Sequence, residues 1–420
     1  MPHGTGLLRQ RDFRLLWIGD TISSVGSNVT QVALPLVAVL TLRVSTFELG
    51  LLGATLWLPW LLISLPVGAW VDRLPRRPVL VACDLGSLLL FVSVPVAAWF
   101  DVLSLAQLMA VALLTGMAEV FANTAYRVFL AGLITPAQLA GANALTQGSV
   151  SAARVAGRGA GGLIAQWFGP VFGLLVDAVS FAVSAICLLL IRTREPEIPP
   201  RPPTSRLRHE IGSGLRFVFG DPYLRAIVLF GGLINLAFMG YGAIQVTFLL
   251  HTLDLPPAAV GVLVAASSAG GVLGALVAGR LGRRFGTARG LLISVLGTVP
   301  FDLLIPLARP GPLVALQAVG MFVTGSGVVA ANVFIGSFSQ SYPPPELRGR
   351  VSATSSMIIF GAVPVGSLLA GGLGSAFGVR PAIWVLMSLV VASSLFLVGS
   401  PIRRRRDLPE AATAQPVSAT

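Results

Sequence analysis

Apolar residues fill most of the chain in long segments that short polar connections separate. Such segments are long enough to cross a bilayer as α-helices, which need about 20 apolar residues. We predict twelve membrane-spanning helices near residues 14–40, 47–71, 78–100, 103–131, 142–166, 170–191, 223–250, 257–279, 288–308, 312–340, 350–376 and 380–400. Span 5 is the least hydrophobic of them, and its assignment depends on its repeat partner, span 11.

Two stretches about 209 residues apart share one pattern. Residues 115–123 and 324–332 both lead from a Thr-Gly pair through an apolar run to an asparagine. A Gly-Gly pair follows in each half, at 161–162 and 371–372. Parallel repeats of six helices are typical of transporters, in which two halves enclose a central cavity. The pattern therefore predicts an all-α membrane protein built from two six-helix repeats.

The repeat divides the chain into four regions. We predict a six-helix bundle at 1–191, a cytoplasmic connection at 192–222, a second six-helix bundle at 223–400 and a basic, disordered cytoplasmic tail at 401–420. The connection begins polar and proline-rich, so its first part should be extended and solvated. Its second part places Leu207, Ile211, Leu215 and Phe219 at helical spacing. This spacing predicts an amphipathic helix on the membrane surface.

Arginine placement predicts the orientation, since the chain contains no lysine. With the N-terminus inside, 24 of the 29 arginines lie in cytoplasmic segments or at cytoplasmic helix ends. Arg43, Arg309 and Arg380 lie outside, and two arginines lie within span 5. By the positive-inside rule, both termini are cytoplasmic, and we expect a multi-pass protein of the inner (cytoplasmic) membrane.

Composition argues against soluble classes of protein. Charged residues make up 11% of the chain and hydrophobic residues 55%, with a mean hydropathy of +0.84. The net charge of +12 comes from arginines spread over many short loops and a tail, so no nucleic-acid partner is expected. The sequence shows no nucleotide motif, metal cluster or nucleophile–base arrangement. We therefore expect neither an enzyme nor a cofactor.

The loop between spans 2 and 3 carries a glycine, an aspartate and several arginines. A glycine lets helices approach closely, and an aspartate at the membrane edge needs a cationic or helix-terminus partner. Arginines beside it can make and break charge-assisted hydrogen bonds as the halves move. The loop resembles the signature of the major facilitator superfamily. The resemblance implies a gating motif of Gly68, Asp72, Arg73, Arg76 and Arg77.

Span 5 carries a second motif, formed by Gly148, Gly157, Arg158, Gly161 and Gly162. It resembles the antiporter signature of proton-coupled drug exporters in that superfamily, with Arg158 where the family has proline. The glycines form a helix-packing face or a seal that stops leakage through the cavity, and the two interpretations are compatible. We expect Arg158 to pair with Asp177 of span 6 or, alternatively, to face the cavity.

Three further stretches resemble one branch of the superfamily. They are residues 12–17, 177–181 in span 6 and 346–351 before span 11. The branch contains bacterial macrolide and multidrug exporters and also siderophore exporters. The resemblance covers residues from about 10 to 400, and it does not indicate the substrate.

Helices 1, 4, 7 and 10 of the superfamily fold line the cavity. Span 4 places four polar residues at successive i+4 positions, which form one stripe along the helix. The expected cavity residues are Asp20, Ser24, Asn28 and Gln31 of span 1, Thr115, Glu119, Asn123 and Arg127 of span 4, Asn235, Tyr241 and Gln245 of span 7, and Asn332 of span 10.

Charged residues near the membrane centre need a partner or a role. Glu119 and Arg154 should lie at similar depth on neighbouring spans. They form a permanent buried ion pair, or they form a proton site at which a conformational change alters the pairing. Asp20 is the second candidate for proton coupling.

These features predict a monomeric secondary transporter. It would export hydrophobic or amphipathic small molecules by alternating access, in exchange for protons, with the proton gradient as its energy source. Its partners would be the small-molecule substrate, protons and the lipid bilayer. Two alternatives stay open. One is a dedicated exporter of a single metabolite, such as a siderophore or a self-made antibiotic, and the other is a non-transporting membrane sensor of the same fold.

Overall fold

The computed structural model describes residues 7–71, 74–135, 138–193, 207–344 and 347–409. The helices of the first half are α1 (Arg11–Leu36), α2 (Thr46–Leu62), α3 (Ser64–Val71), α4 (Arg76–Trp99), α5 (Leu105–Leu133), α6 (Leu139–Phe168) and α7 (Pro170–Leu190). The connecting helix is α8 (Leu207–Gly220). The helices of the second half are α9 (Pro222–Thr247), α10 (Pro257–Phe285), α11 (Thr287–Leu296), α12 (Ala315–Ser341), α13 (Arg348–Phe377) and α14 (Val379–Val398). We call the side at which α1 begins the terminal side and the opposite side the distal side.

Ten helical segments of the described chain are long and apolar enough to cross a membrane. They are Arg11–Thr41, Arg76–Trp99, Leu105–Leu133, Pro170–Leu190, Pro222–Thr252, Pro257–Phe285, Thr287–Leu304, Pro312–Ser341, Arg350–Phe377 and Val379–Val398. Predicted span 2 corresponds to α2 and α3, and predicted span 5 to the more polar α6. The prediction of an all-helical membrane protein is confirmed.

Two of the predicted spans are interrupted. Span 2 breaks at Ile63 between α2 and α3, where Pro66 has no amide hydrogen to donate to the carbonyl of Leu62, the last residue of α2. Span 9 is α11 followed by a 3-10 segment, Val299–Leu304. Gly297 and Pro300 lie at this transition and disfavour a continuous α-helix.

Single glycines connect the last two helices of each half. Gly169 joins α6 to α7 with a φ of +86°, and Gly378 joins α13 to α14 with a φ of +89°. Glycine adopts positive φ without a steric cost, so it permits these one-residue turns. The two glycines are 209 residues apart, and the repeat therefore extends to the geometry of the turns.

The two halves contact one another through α2 against α13 and α6 against α10. A Cβ atom added to Gly50 would lie 2.6 Å from the Ser367 carbonyl oxygen. One added to Gly162 would lie 2.6 Å from the Pro257 carbonyl oxygen. All four residues are near the distal ends of their helices. Glycine therefore lets the backbones of the two halves touch on the distal side.

The connecting helix packs against the second half. Gly214 of α8 faces the Arg350 carbonyl oxygen, which would lie 2.9 Å from an added Cβ, and Val218 is fully buried. Phe219 stays exposed, as an apolar residue facing a membrane surface would be. Residues 194–206, which include the predicted proline-rich part, lie outside the described residues.

The beginning of the predicted tail is ordered. A 3-10 turn covers Pro401–Arg404, and Ile402 is fully buried. The backbone amide of Thr287 at the start of α11 donates to Asp407 Oδ1 over 2.8 Å. The prediction of disorder is wrong for residues 401–409, because Ile402 and Leu408 are buried and anchor the segment. Residues 410–420 lie outside the described residues.

Candidate functional site

The polar stripe of α5 is exposed within the bundle. Glu119 is exposed, although Thr115, one turn earlier on the same face, is 8% exposed. The exposed apolar residue Leu114 lies on the opposite face, where lipid is expected. Asn123 and Arg127 continue the stripe and are exposed as well. Glu119 therefore faces an internal cavity rather than the outside of the bundle.

Two arginines of α6 face the same interior. Arg154 is exposed on the face that continues distally into buried Gly161, whereas exposed Leu163 lies on the opposite face. Arg158 lies one turn distal to Arg154 and is partly buried. The two guanidinium charges are close enough to interact. Helix α6 thus carries two positive charges on its cavity side. Arg154 is exposed to the cavity, and Arg158 is partly buried.

Glu119 and Arg154 lie at the same depth but on helices with different neighbours. Each is 14 residues from the distal end of its helix, about 21 Å along the axis. Helix α5 contacts mainly α2, α3 and α4, and α1 more weakly, whereas α6 contacts α1, α7 and α10. The prediction that they occupy neighbouring spans is wrong, because α5 and α6 do not pack side by side. In the described structure Glu119 interacts with Asp177 and forms no ion pair with Arg154.

The expected pair between Arg158 and Asp177 is absent. Arg158 donates from Nη1 to Ser268 Oγ over 3.1 Å and from Nη2 to Gln31 Oε1 over 2.8 Å. Asp177 accepts from Thr30 Oγ1 over 2.6 Å and is 1% exposed. The pairing prediction is wrong, because each side chain has other hydrogen-bond partners. Asp177 bonds to Thr30 of α1, whereas Arg158 bonds to Gln31 of α1 and Ser268 of α10.

The four candidates on α1 have different surroundings. Asp20 interacts with the hydroxyl group of Tyr126 on α5, and Gln31 is exposed. Asn28 is 8% exposed and donates from Nδ2 to the Ser24 carbonyl oxygen over 2.8 Å. The prediction of Asn28 as a cavity residue is wrong, because α6 packs on this face of α1. Ser24 is partly buried.

The candidates of the second half are mostly enclosed. Tyr241 is fully buried and accepts a 2.6 Å hydrogen bond from Gln317 Nε2 on α12, and Gln245 is 6% exposed. The prediction that these two line the cavity is wrong, because this face of α9 packs within its own half. Asn235 is partly buried and donates to the carbonyl one turn earlier over 2.9 Å. Asn332 is exposed, like its repeat mate Asn123.

The gating motif is described only in part. Gly68 lies within α3, Arg76 and Arg77 begin α4, and Asp72 and Arg73 lie outside the described residues. Arg77 donates from Nε and Nη2 to the carbonyl oxygens of Leu188 and Leu189 over 2.8 and 2.6 Å. It thereby binds carbonyl groups that the end of α7 leaves without helical partners. A gating role for the motif stays a prediction.

Three of the four motif glycines on α6 are packing residues. A Cβ atom at Gly157 or Gly161 would meet the α1 backbone at 2.6 and 3.0 Å, and one at Gly162 would meet Gly261 of α10 at 2.7 Å. Gly148 has no atom within 4 Å of an added Cβ. The packing interpretation is therefore supported for Gly157, Gly161 and Gly162 but is wrong for Gly148.

Charged residues that we assign to the cavity in the first half have uncharged repeat mates in the second half. The repeat mate of Glu119 is Val328, and the mate of Arg158 is Leu368. The residues that complete the polar contacts, such as Ser268 and Tyr126, carry no sequence signal, because a serine or tyrosine within an apolar run has no preferred helix face. Among the described residues no group of three His, Cys, Asp or Glu side chains is arranged to hold a metal ion.

Comparisons with known proteins agree with this architecture. A family model described as transmembrane secretion effector matches residues 4–419. The chain is 28% identical over 402 residues to the multidrug efflux pump Tap of Mycolicibacterium fortuitum, covering 94% of this chain and 97% of the pump. It is 26% identical over 424 residues to the enterobactin exporter EntS of Escherichia coli O139:H28, covering 96% and 95%.

Solved structures share the fold at low sequence identity. The nucleoside transporter NupG superposes with a TM-score of 0.74 at 14% identity, covering 93% of this chain and 98% of the transporter. A bacterial homologue of the iron transporter ferroportin gives a TM-score of 0.74 at 15% identity, covering 94% and 98%. Fold, motifs and relatives agree, and the chain belongs to the transmembrane secretion effector family of the major facilitator superfamily.

Proposed function

We propose that the chain exports hydrophobic or amphipathic small molecules from the cytoplasm by alternating access, in exchange for protons. The observation that carries this proposal is the exposed carboxylate of Glu119 near the middle of α5, on the same polar face as exposed Asn123 and Arg127. A carboxylate in an internal cavity binds a proton in one conformation and releases it in another when its surroundings change. The names of the relatives support export as the direction.

The proposed topology has twelve membrane crossings with both termini in the cytoplasm. Ten crossings are the apolar segments given above. Helices α2 and α3 together form the eleventh crossing, and α6 forms the twelfth. Helix α6 has 30 residues, about 45 Å, and is long enough to cross. Its polar face is shielded from lipid, because α1, α7 and α10 pack around the helix. The excess of arginines on the terminal side supports a cytoplasmic location for that side, and hence the inner membrane.

The contacts between the halves support a cavity that receives its substrate from the cytoplasm. Gly50 and Gly162 bring the backbones together near the distal ends of the helices. Asn123 and Asn332 are exposed on the terminal side of Thr115 and Thr324, the buried threonines of the same helices. The cavity thus narrows toward the distal side. Export then requires the glycine contacts to open and the terminal side to close.

The uneven distribution of charge supports an amphipathic substrate. Glu119, Arg127 and Arg154 are exposed in the first half. The repeat mates in the second half are Val328, Gly336 and Pro364, which carry no charge. A cavity with one charged wall and one largely uncharged wall suits a molecule with a polar end and an apolar body.

A dedicated exporter of one metabolite is the second candidate function. The alignment with the enterobactin exporter covers about the same share of this chain as the alignment with the multidrug pump, and the two sequence identities are similar. The two candidates share the fold, the cavity and the proton coupling that we propose. They differ in how many unrelated molecules the apolar wall accepts.

A dye accumulation assay tests the proposed function. Cells that produce the protein and cells that do not are loaded with ethidium, Hoechst 33342 and carboxyfluorescein, with and without a protonophore. We expect lower accumulation of at least one dye in producing cells, and the protonophore should remove the difference. Equal accumulation of all three dyes would contradict broad export. A difference that survives the protonophore would contradict proton coupling.

A further inference from the structure

We propose that Arg154 and Arg158 bind the anionic group of the substrate, so that the transported molecules carry a carboxylate or a similar anion at their polar end. The proposal rests on the export function above and specifies its substrate class. It is carried by the contacts of the two arginines and by their place in the cavity.

The first observation is that neither guanidinium group has a counter-ion among the described residues. Arg158 is bonded to two neutral oxygens, those of Ser268 and Gln31, and its Nε is buried without a partner there. The charge with which it interacts is that of Arg154, which repels it. Within the described part of the chain no carboxylate pairs with either arginine. Two cations near the membrane centre are unfavourable unless an anion joins them.

The second observation is that the acidic residues of this half have other surroundings. Asp177 is bonded to Thr30 on α1, and Asp20 interacts with Tyr126 on α5. Glu119 lies near Asp177, a second carboxylate that repels it, and in the described structure it pairs with neither arginine. The described part of the protein therefore does not supply the missing negative charge in this conformation, and the cavity is the open route by which one can arrive.

The third observation is the accessibility of the pair. Arg154 is exposed to the cavity, and Arg158 lies one turn beyond it on the same face. Side chains four residues apart on a helix are about 6 Å apart at Cβ, so one carboxylate can accept hydrogen bonds from both. The planar guanidinium group matches a carboxylate in a two-point contact, which a neutral amide does not reproduce.

An anion bound to these arginines would also affect the contact between the halves on the distal side. Arg158 contributes a hydrogen bond to Ser268 of the other half. An anion that takes this guanidinium group as its partner competes with Ser268. Substrate binding would then weaken one contact that holds the halves together on the distal side.

A pair of matched probes tests the proposal. The purified protein in phosphatidylcholine nanodiscs is dialysed against naphthalene-2-acetate or its uncharged amide, naphthalene-2-acetamide. We expect the carboxylate to bind at least about tenfold more tightly, since one charge-assisted hydrogen bond exceeds a neutral one by roughly fivefold and two guanidinium groups take part. Arg154→Gln together with Arg158→Gln should remove the preference and leave amide binding unchanged. Arg309→Gln, in an exposed distal loop, should keep it.

Arg154→Gln alone provides a variant that breaks no hydrogen bond of the described structure, and it should lose part of the preference. A carboxylate that binds no more tightly than the amide, including the case in which neither binds, overturns the proposal. So does a preference that survives the double substitution. Dye export that persists without a carboxylate preference would reject the anion site alone, and a preference without dye export would reject the export function.

Discussion

Arg158 of α6 donates a hydrogen bond to Ser268 of α10 over 3.1 Å, and this bond joins the two halves of the chain. The same guanidinium group holds Gln31 of α1 over 2.8 Å. A proline at this position would have no side-chain donor and would lack a backbone amide hydrogen. The arginine therefore connects the cavity with the contact that closes the distal side.

Ser268→Ala should loosen the distal closure, because it removes a hydrogen bond to a charged group, which contributes about 1.5–3 kcal/mol. The measurement is the distance between spin labels on Asp101→Cys and Arg309→Cys, which are exposed in distal loops of the two halves. We expect a larger share of long distances in the variant than in the parent.

The labelled proteins need Cys83→Ser and Cys187→Ser, since both native cysteines are free thiols. Ser375→Ala is the control, because this serine donates to Gly372 of its own helix and contacts no residue of the other half through that bond. Identical distance distributions for Ser268→Ala and the parent would show that the bond does not hold the halves together.

Gly162→Ala should impair export. The added methyl group would lie 2.6 Å from the Pro257 carbonyl oxygen and 2.7 Å from Gly261, so α6 and α10 must separate. Overpacking of this kind costs about 1–3 kcal/mol and acts only on the conformation in which the distal side is closed. Dye efflux rates in cells measure the effect. Gly148→Ala is the matched control, because its methyl group meets nothing within 4 Å, and equal efflux by both variants would refute the seal.

The helices and the twofold repeat could be predicted because they depend on local pattern. Apolar runs, Thr-Gly and Gly-Gly pairs and the turn glycines Gly169 and Gly378 recur at a nearly constant spacing of 209 or 210 residues. The tail was mispredicted because Ile402 and Leu408 are two apolar residues in a charged stretch, and their anchoring depends on a surface that only the folded second half provides.

The partners of the polar residues could not be predicted from depth alone. Depth places Arg158 beside Asp177, but the rotation of each helix decides which neighbour a side chain meets. The prediction that Tyr241 and Gln245 line the cavity is wrong for the same reason. A tyrosine and a glutamine fit a buried polar cluster as well as a cavity wall. The mid-helix positions of Glu119 and Arg154 are both predicted correctly, whereas the pairing between them is not.

Asp177 should be coupled in stability to Thr30 and not to Arg158. A double-mutant cycle of Asp177→Ala with Thr30→Val should give a coupling energy of about 1–3 kcal/mol, because their hydrogen bond is buried. The cycle of Asp177→Ala with Arg158→Ala should give less than about 0.5 kcal/mol. Denaturation of the detergent-solubilised variants measures both. A rescue of Arg158→Ala by Asp177→Ala would mean that the two charges form a pair after all.

Ile402→Asp should release the ordered beginning of the tail. The side chain is fully buried, and an unpaired carboxylate there is strongly unfavourable. Protease cleavage within residues 401–409 should become faster, while helices within the bundle stay protected. Arg404→Asp, at an exposed position of the same turn, is the control. Unchanged protease resistance in Ile402→Asp would contradict the anchoring.

A proton on Glu119 should drive export, and transport into acid-inside proteoliposomes measures this coupling. The vesicles contain the parent, Glu119→Gln or the control Asp101→Asn, which changes an exposed carboxylate in a distal loop. A dye identified in the accumulation assay is added outside. We predict that the parent and the control concentrate the dye against its gradient, whereas Glu119→Gln only equilibrates it. Accumulation by Glu119→Gln at the parent's level, with the same dependence on the pH gradient, would contradict the account.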